Sequence, residues 1–316
     1  MIKELKGKVV KGLGGLYVTR IVDGDAVSYL SSHAKGNLKR DDEKILIGDE
    51  VVVTLDEDTP DSVVISEILP RRNSLIRPPL SNLDYLFIVF AAKKPSPILE
   101  TVDKLIAIAE HNCIEPVIVV TKEDMDKGLA DEYAELYRRA GLFAFSTSSK
   151  SLSGTDSLSR FISENLRKGR SAAFAGASGV GKSTLMNTLF PRLTLATAEI
   201  SQKIERGRHT TRHVEIFEIG EGADAGLLAD TPGFSLIDFE RFDFFELDDL
   251  ADTFRELRPY LGKCRYSDCS HVGEGSGECA VMRAAMTGEI AESRLESYRS
   301  IYKTLKQKSQ DYSKIK

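Results

Sequence analysis

The 316-residue chain has no apolar run approaching the ~20 residues that a membrane-spanning helix needs. Its opening, Met-Ile-Lys-Glu-Leu-Lys, lacks the apolar core of a signal peptide, so a cytoplasmic protein with no membrane partner is expected. Positive charge is not in excess: 43 Lys and Arg against 48 Asp and Glu leave a net charge of −5. That argues against a surface basic throughout, as a general nucleic-acid coat requires, but leaves room for a local basic face. Cysteine is scarce. Of the four, Cys113 stands alone and reads as a buried small hydrophobe. Cys264, Cys269 and Cys279 fall within 16 residues, with His271 among them. In a cytosolic chain such clustering suggests a metal rather than disulfides.

What is present begins with a globular composition, 41% apolar and 29% charged, in a length suited to two or three domains. At its centre lies Gly176-Ala177-Ser178-Gly179-Val180-Gly181-Lys182-Ser183, which fits the phosphate-binding pattern G-x-x-x-x-G-K-[ST]. Ser171 to Ala175 before it reads as a short buried strand, and Thr184 to Phe190 after it as an amphipathic helix. A strand, a glycine loop and a helix aim successive N–H groups and the positive helix end at an anion. Lys182 is expected on the β and γ phosphates and Ser183 on Mg2+.

Around this centre the periodicity divides the chain. Five short strands with glycine turns are expected in residues 1–70: Lys6–Val10, Leu16–Ile21, Ala26–Leu30, Glu50–Leu55 and Ser62–Ile68. They suggest a small OB-type barrel, which could bind single-stranded nucleic acid or be purely structural. Arg71, Arg72 and Arg77 lie in a proline-rich linker that could be a solvated connector or could contact phosphates. From Leu83, strands alternate with helices, predicting a mainly parallel sheet with ligands at the strand carboxyl ends in residues 71–236. Residues 237–316 read as helical around the Cys/His cluster, ending in a basic tail that carries Arg299, Lys303, Lys306, Lys308, Lys314 and Lys316. The expected class is multi-domain α/β.

The other strand tips discriminate between nucleotides. Thr121-Lys122-Glu123-Asp124 has the form [N/T]-K-x-D, in which the aspartate accepts both N1–H and N2–H of guanine and the lysine stem covers the base. Ser148-Ser149-Lys150 resembles the S-A-K loop, whose N–H meets guanine O6. Asp230-Thr231-Pro232-Gly233 has the form D-x-x-G, with Asp230 on Mg2+ through water and the Gly233 N–H against the γ-phosphate. Short matches gain weight when each falls at an expected strand end. Their order is permuted: the base-reading loops precede the phosphate loop, and D-x-x-G comes last. The segment after D-x-x-G therefore leads straight into the C-terminal part, and nucleotide state is expected to be relayed there.

These motifs, with Gly207-Arg208-His209-Thr210-Thr211, Asp230 to Phe234 and Cys264-x4-Cys269-x-His271, resemble the ribosome small-subunit-dependent GTPase A family over essentially the whole chain. The resemblance implies a cytoplasmic bacterial GTPase, stimulated by the 30S subunit, acting late in its maturation near the decoding region. It implies GTP and GDP, 16S rRNA and the small subunit as partners. Two departures stand out. Val272 to Glu278 is a longer glycine-rich spacer before Cys279 than the family usually carries. Thr121 replaces the commoner Asn, a change expected to remove side-chain bonds that tie the loops together.

The chemistry follows. Cys264, Cys269, His271 and Cys279 supply the Cys3His set of a closed structural zinc site. Lys182, Mg2+ and the loop N–H groups neutralise phosphate charge. Where many GTPases carry a water-orienting Gln after D-x-x-G, this chain has Phe234, which cannot bond water. His209 is the candidate replacement, with Thr210 or Thr211 completing Mg2+ coordination. Slow intrinsic hydrolysis and activation by a partner follow, and a monomer is expected. The rivals are a P-loop ATPase or nucleotide kinase, and a non-catalytic nucleotide-dependent RNA-binding scaffold.

Overall fold

The computed structural model describes residues 2–36, 44–56, 59–191, 215–230 and 244–315. His209, Thr210, Thr211, Gly233 and Phe234 lie outside them, as does the side chain of Asp230. The chain forms two compact units, Met1–Leu86 with Asp156–Phe174 and Ser183–Phe234, and Phe87–Thr155 with Ala175–Lys182 and Ser235–Lys316.

In the first unit, β1 (Ile2–Leu13), β2 (Leu16–Asp23), β3 (Ala26–Ala34), β4 (Glu50–Asp56) and β5 (Thr59–Ile68) carry the N-terminal pairing. β1 is antiparallel to β2 and to β4, β2 to β3, and β4 to β5, while β3 runs parallel to β5. The pairing closes on itself in the order β1-β2-β3-β5-β4. Val9, Ile21, Val51, Val53 and Ile65 fill its interior. β1 is longer than the Lys6–Val10 run, because ladder bonds on both edges hold it beyond the reach of its apolar pattern. Close approach is built in at Gly7, where a Cβ would lie 2.4 Å from Ile21 and 2.6 Å from the Arg20 carbonyl.

This pairing continues beyond the ring. β1 also pairs antiparallel with β12 (Glu215–Ile219) at Lys11 and Glu215, β12 with β13 (Gly226–Asp230), and β13 runs parallel to β11 (Ser171–Ala175). Two ion pairs reinforce the junction: Lys11 Nζ lies 2.9 Å from Glu215, and Arg20, 4% exposed, donates to Glu218 and to the Gly222 carbonyl. The linker arginines are engaged as well. Arg71 forks onto buried Asp49 at 2.7 and 2.8 Å, and Arg72 donates to Asp84. Neither side chain is simply solvated, since each is tied to a carboxylate of the same unit. A hairpin of β6 (Ser74–Leu75) and β7 (Leu80–Ser81) follows.

The second unit holds most of β8 (Tyr85–Ala91), then α1 (Leu99–His111), β9 (Glu115–Thr121), α2 (Lys127–Arg139) and β10 (Phe143–Ser146). β9 lies between β8 and β10, parallel to β10. The β8 and β9 runs are buried throughout, apart from half-buried Glu115, as expected of strands covered on both faces. α1 buries Val102, Leu105, Ile106 and Ala109 at helical spacing, together with Asp103, Ala107 and Ile108. Asp126 caps α2 by accepting from the Leu129 N–H at 3.2 Å. α3 (Thr155–Asn165) and α4 (Lys182–Leu189) belong to the first unit except for their first residues. Cys113, expected as a buried small hydrophobe, is instead exposed, in a turn with φ +54° after α1.

The C-terminal part carries two 3-10 turns, Leu247–Thr253 and Arg258–Tyr260, then α5 (Ala280–Met286) and α6 (Glu292–Ile315). A buried ionic cluster joins it to α1 and α2. Arg294, 1% exposed, donates to Asp103 and, at 2.6 Å, to Glu256, and its guanidinium lies 4.6 Å from the Phe254 ring centroid. Tyr137 donates to the same Asp103 oxygen at 3.0 Å. Arg255 pairs with Glu110 and Glu115 beside it. None of the described helices is long and apolar enough to cross a membrane.

Candidate nucleotide site and metal cluster

The phosphate loop leaves β11 at Gly176, where a Cβ would stand 2.2 Å from the Val89 carbonyl, so only glycine fits between loop and β8. Gly179 and Gly181 take φ +77° and +96°. Ala177, Ser178 and Gly179 are exposed, Val180 is buried as the loop's anchor, and α4 begins at Lys182 with Ser183 and Thr184 exposed in its first turn. This is the strand–loop–helix geometry in which backbone N–H groups face an anion.

The base-reading motif lies in the same unit as this loop. Thr121 ends β9, 4% exposed, and its hydroxyl lies within bonding distance of the carbonyls of Val180, in the phosphate loop, and Phe90, at the end of β8. The expected loss of loop ties therefore does not occur: the threonine hydroxyl itself reaches the phosphate loop. Lys122, at φ +58°, donates its ammonium to the carbonyls of Gly179, at 2.7 Å, and Lys94. Its stem is thereby laid along the loop. Glu123 is buried, and its N–H bonds the Thr147 carbonyl at 3.1 Å.

Asp124 is exposed and oriented. The Ser148 hydroxyl donates to its Oδ1 at 2.6 Å and accepts from the N–H groups of Lys150 and Ser151, both at 3.2 Å. Ser149 is half-buried and Lys150 exposed. The loop is closed by Gly154, where a Cβ would lie 1.9 Å from the Ser146 carbonyl. The structure thus ties Thr121 and Lys122 to Val180 and Gly179 of the phosphate loop, and Asp124 to Ser148. Lys94, whose carbonyl receives Lys122, and Gly154 escaped the sequence reading. An isolated lysine carries no motif signal, whereas a glycine six residues after Ser148 is a turn signal.

Cys264, Cys269, His271 and Cys279 converge, their ligand atoms all within 4.8 Å of one another. His271 Nδ1 stands 3.5, 3.4 and 3.4 Å from the sulfurs of Cys264, Cys269 and Cys279, and the Cys264 and Cys279 sulfurs are 3.8 Å apart. Ligands at the usual Zn–S and Zn–N distances around a tetrahedral ion lie about 3.5–3.8 Å from one another, so the donor set fits such an ion. The N–H of Ala280 points at the Cys264 sulfur, 3.3 Å away, and that of Met282 at the Cys279 sulfur, 3.5 Å away, as suits thiolates. Burial, with the neighbouring thiols adding to it, pushes the Cys269 thiol up to about 12, a crowding that a dication would relieve. Burial also lowers the His271 pKa and keeps its ring neutral, the form a metal binds. Glu274, unremarked in the sequence, accepts from the N–H groups of Ser270, Val272 and Gly273 in the ligand loop. Of the basic tail, Lys303 and Lys306 are exposed, while Arg299 is half-buried against the Met282 sulfur.

Known proteins resemble this chain. Residues 68–240 match the RsgA GTPase family. The small ribosomal subunit biogenesis GTPase RsgA of Carboxydothermus hydrogenoformans is 38% identical, across 93% of this chain and 95% of its own. That of Enterococcus faecalis is 39% identical, covering 93% of each. Among solved structures, YloQ, described as a circularly permuted GTPase, superposes with a TM-score of 0.76 at 32% identity, covering 97% of this chain and 96% of its own. YjeQ from Thermotoga maritima gives 0.76 at 30%, covering 96% and 99%. The chain, with a phosphate loop and a guanine-type base-reading motif bonded together in permuted order, belongs to the RsgA GTPase family of GTP-hydrolysing enzymes.

Proposed function

We propose that this GTPase acts late in maturation of the small (30S) ribosomal subunit, is stimulated by that subunit, and docks on 16S rRNA as a cytoplasmic monomer. GTP favours docking and hydrolysis to GDP favours release. In this reading residues 1–70 form an OB-type barrel, 71–236 the circularly permuted GTPase domain and 237–316 a zinc-bearing helical domain. The cyclic order β1-β2-β3-β5-β4 supports the barrel.

The observation that carries the reading is Asp124, exposed yet held through one carboxylate oxygen by Ser148. A carboxylate oriented in this way can accept the paired N1–H and N2–H of guanine, for which adenine has no counterpart. The Ser149 and Lys150 backbone meets guanine O6, and the Lys122 stem covers the base. The N–H groups of Gly176 to Thr184 and the Lys182 ammonium take the phosphates. Mg2+, when bound, offsets charge on the β and γ phosphates. Ser183, Asp230 through water, and Thr210 or Thr211 would hold it, while the Gly233 N–H senses the γ-phosphate and His209 orients the attacking water. Cys264, Cys269, His271 and Cys279 hold one structural zinc ion, with no position left open for catalysis.

The test is GTP turnover by the purified protein with and without 30S subunits, with 50S subunits as control. Stimulation by 30S alone is the expected result; GTP binding without any stimulation would overturn it. Base reading is tested separately: D124N should shift preference from GTP to xanthosine triphosphate, and unchanged preference would remove Asp124 from that role.

A further inference from the structure

We infer that Glu274 is a positioning residue of the metal site, whose carboxylate holds the backbone turn that presents Cys269 and His271 to one ion. The inference rests on the zinc reading above. The two ligands are only two residues apart, so the chain between them must turn sharply for both to face one point. His271 does so at φ +59°, a left-handed conformation that residues other than glycine seldom adopt. Such a turn leaves successive N–H groups pointing into one concavity, an anion-binding nest.

The Glu274 carboxylate fills that nest. Its Oε1 accepts from the Ser270 N–H at 3.0 Å and the Ser270 hydroxyl at 2.9 Å. Its Oε2 accepts from the N–H groups of Val272 at 3.0 Å and Gly273 at 3.1 Å. Ser270, between the two ligands, is also fixed from the other side, since Tyr298 of α6 donates to its carbonyl at 3.0 Å. The long spacer thus has a purpose. Gly273, Gly275 and Gly277 crowd nothing, and the Gly275 carbonyl accepts from the N–H groups of Glu278 and Cys279, which returns the chain to the ion. Each carboxylate oxygen faces two donors and neither donates. A glutamine of the same shape would turn its NH2 group against two donors, so the site needs an acceptor at both positions.

The experiment uses the full-length protein as wild type, E274Q and E274G. Zinc content is measured first, then zinc release to a chromophoric chelator, then the ligand-field spectrum after cobalt substitution. Wild type should hold one zinc. E274Q and E274G should release it about 10- to 100-fold faster, the usual scale for groups supporting metal ligands. Formate should slow release from E274G by refilling the nest and leave wild type unchanged. The cobalt bands of E274Q should shift while its unstimulated GTP turnover stays at the wild-type level. E274Q releasing zinc at the wild-type rate with an unchanged spectrum overturns this inference alone. A wild-type protein that takes up no zinc overturns the metal site and the inference with it.

Discussion

At the scale of single residues, Thr121 and Arg294 carry the sharpest consequences. The Thr121 hydroxyl sits between two buried carbonyls, one of them in the phosphate loop. Thr121→Val keeps the shape and removes the donor, leaving an unsatisfied buried group at a cost of about 1–3 kcal/mol. GDP affinity should fall about tenfold, whereas Thr121→Asn should stay near wild type; fluorescence titration with a labelled guanine nucleotide measures both. Arg294 is fully enclosed with two carboxylates, so Arg294→Ala strands Asp103 and Glu256. Breaking a buried pair in this way costs about 3–5 kcal/mol, and the urea midpoint should drop accordingly. His209→Ala should lower subunit-stimulated turnover and spare GDP binding; unchanged turnover would remove His209 from the mechanism.

At the scale of elements, the loop after β11 is set by its neighbour β8. The Gly176 Cβ position lies 2.2 Å from a backbone carbonyl, which cannot rotate away as a side chain could. Gly176→Ala should therefore abolish nucleotide binding in a calorimetric titration, while Gly14→Ala, in an open turn at φ +59°, should leave it intact. The helices and strands were largely legible beforehand. β4 and β11 lie within a residue of their expected bounds, because each is an apolar run with a polar boundary. β1, β3 and β5 extend further than expected. Lys3 and Glu4 lie before the expected Lys6–Val10 run, and the strand exists there because β4 pairs with it.

At the scale of the molecule, the base-reading loops, the phosphate loop and the metal cluster belong to one compact unit, while the N-terminal ring belongs to the other with β12 and β13. The segment after D-x-x-G is thus not the sole candidate for relaying nucleotide state, since β12 also pairs directly with β1. Hydrogen exchange in GTP-analogue and GDP forms separates the routes. Changed protection in 234–300 supports relay to the C-terminal part, changed protection in β1 and β2 supports relay to the ring, and identical protection in both removes the relay. Stripping the metal should lower thermal stability of the C-terminal part, read as a lower Tm restored by added zinc.

The sequence by itself determined the class of chemistry. A phosphate loop, a guanine-type motif and a Cys3His set are local strings whose residue types are dictated by the ligand, so they could be read without the fold. Their permuted order was equally plain. Only the tertiary structure decided how those strings are supported. Thr121 reaches Val180 across 59 positions of chain, Arg71 pairs with the buried Asp49, and Cys113 emerges at the surface. Glu274, four residues from Ser270 in a spacer of glycines, gained its role from a turn that no propensity announces. These contacts depend on which backbone carbonyls and N–H groups folding leaves unpaired, and that is a property of packing, not of any local pattern.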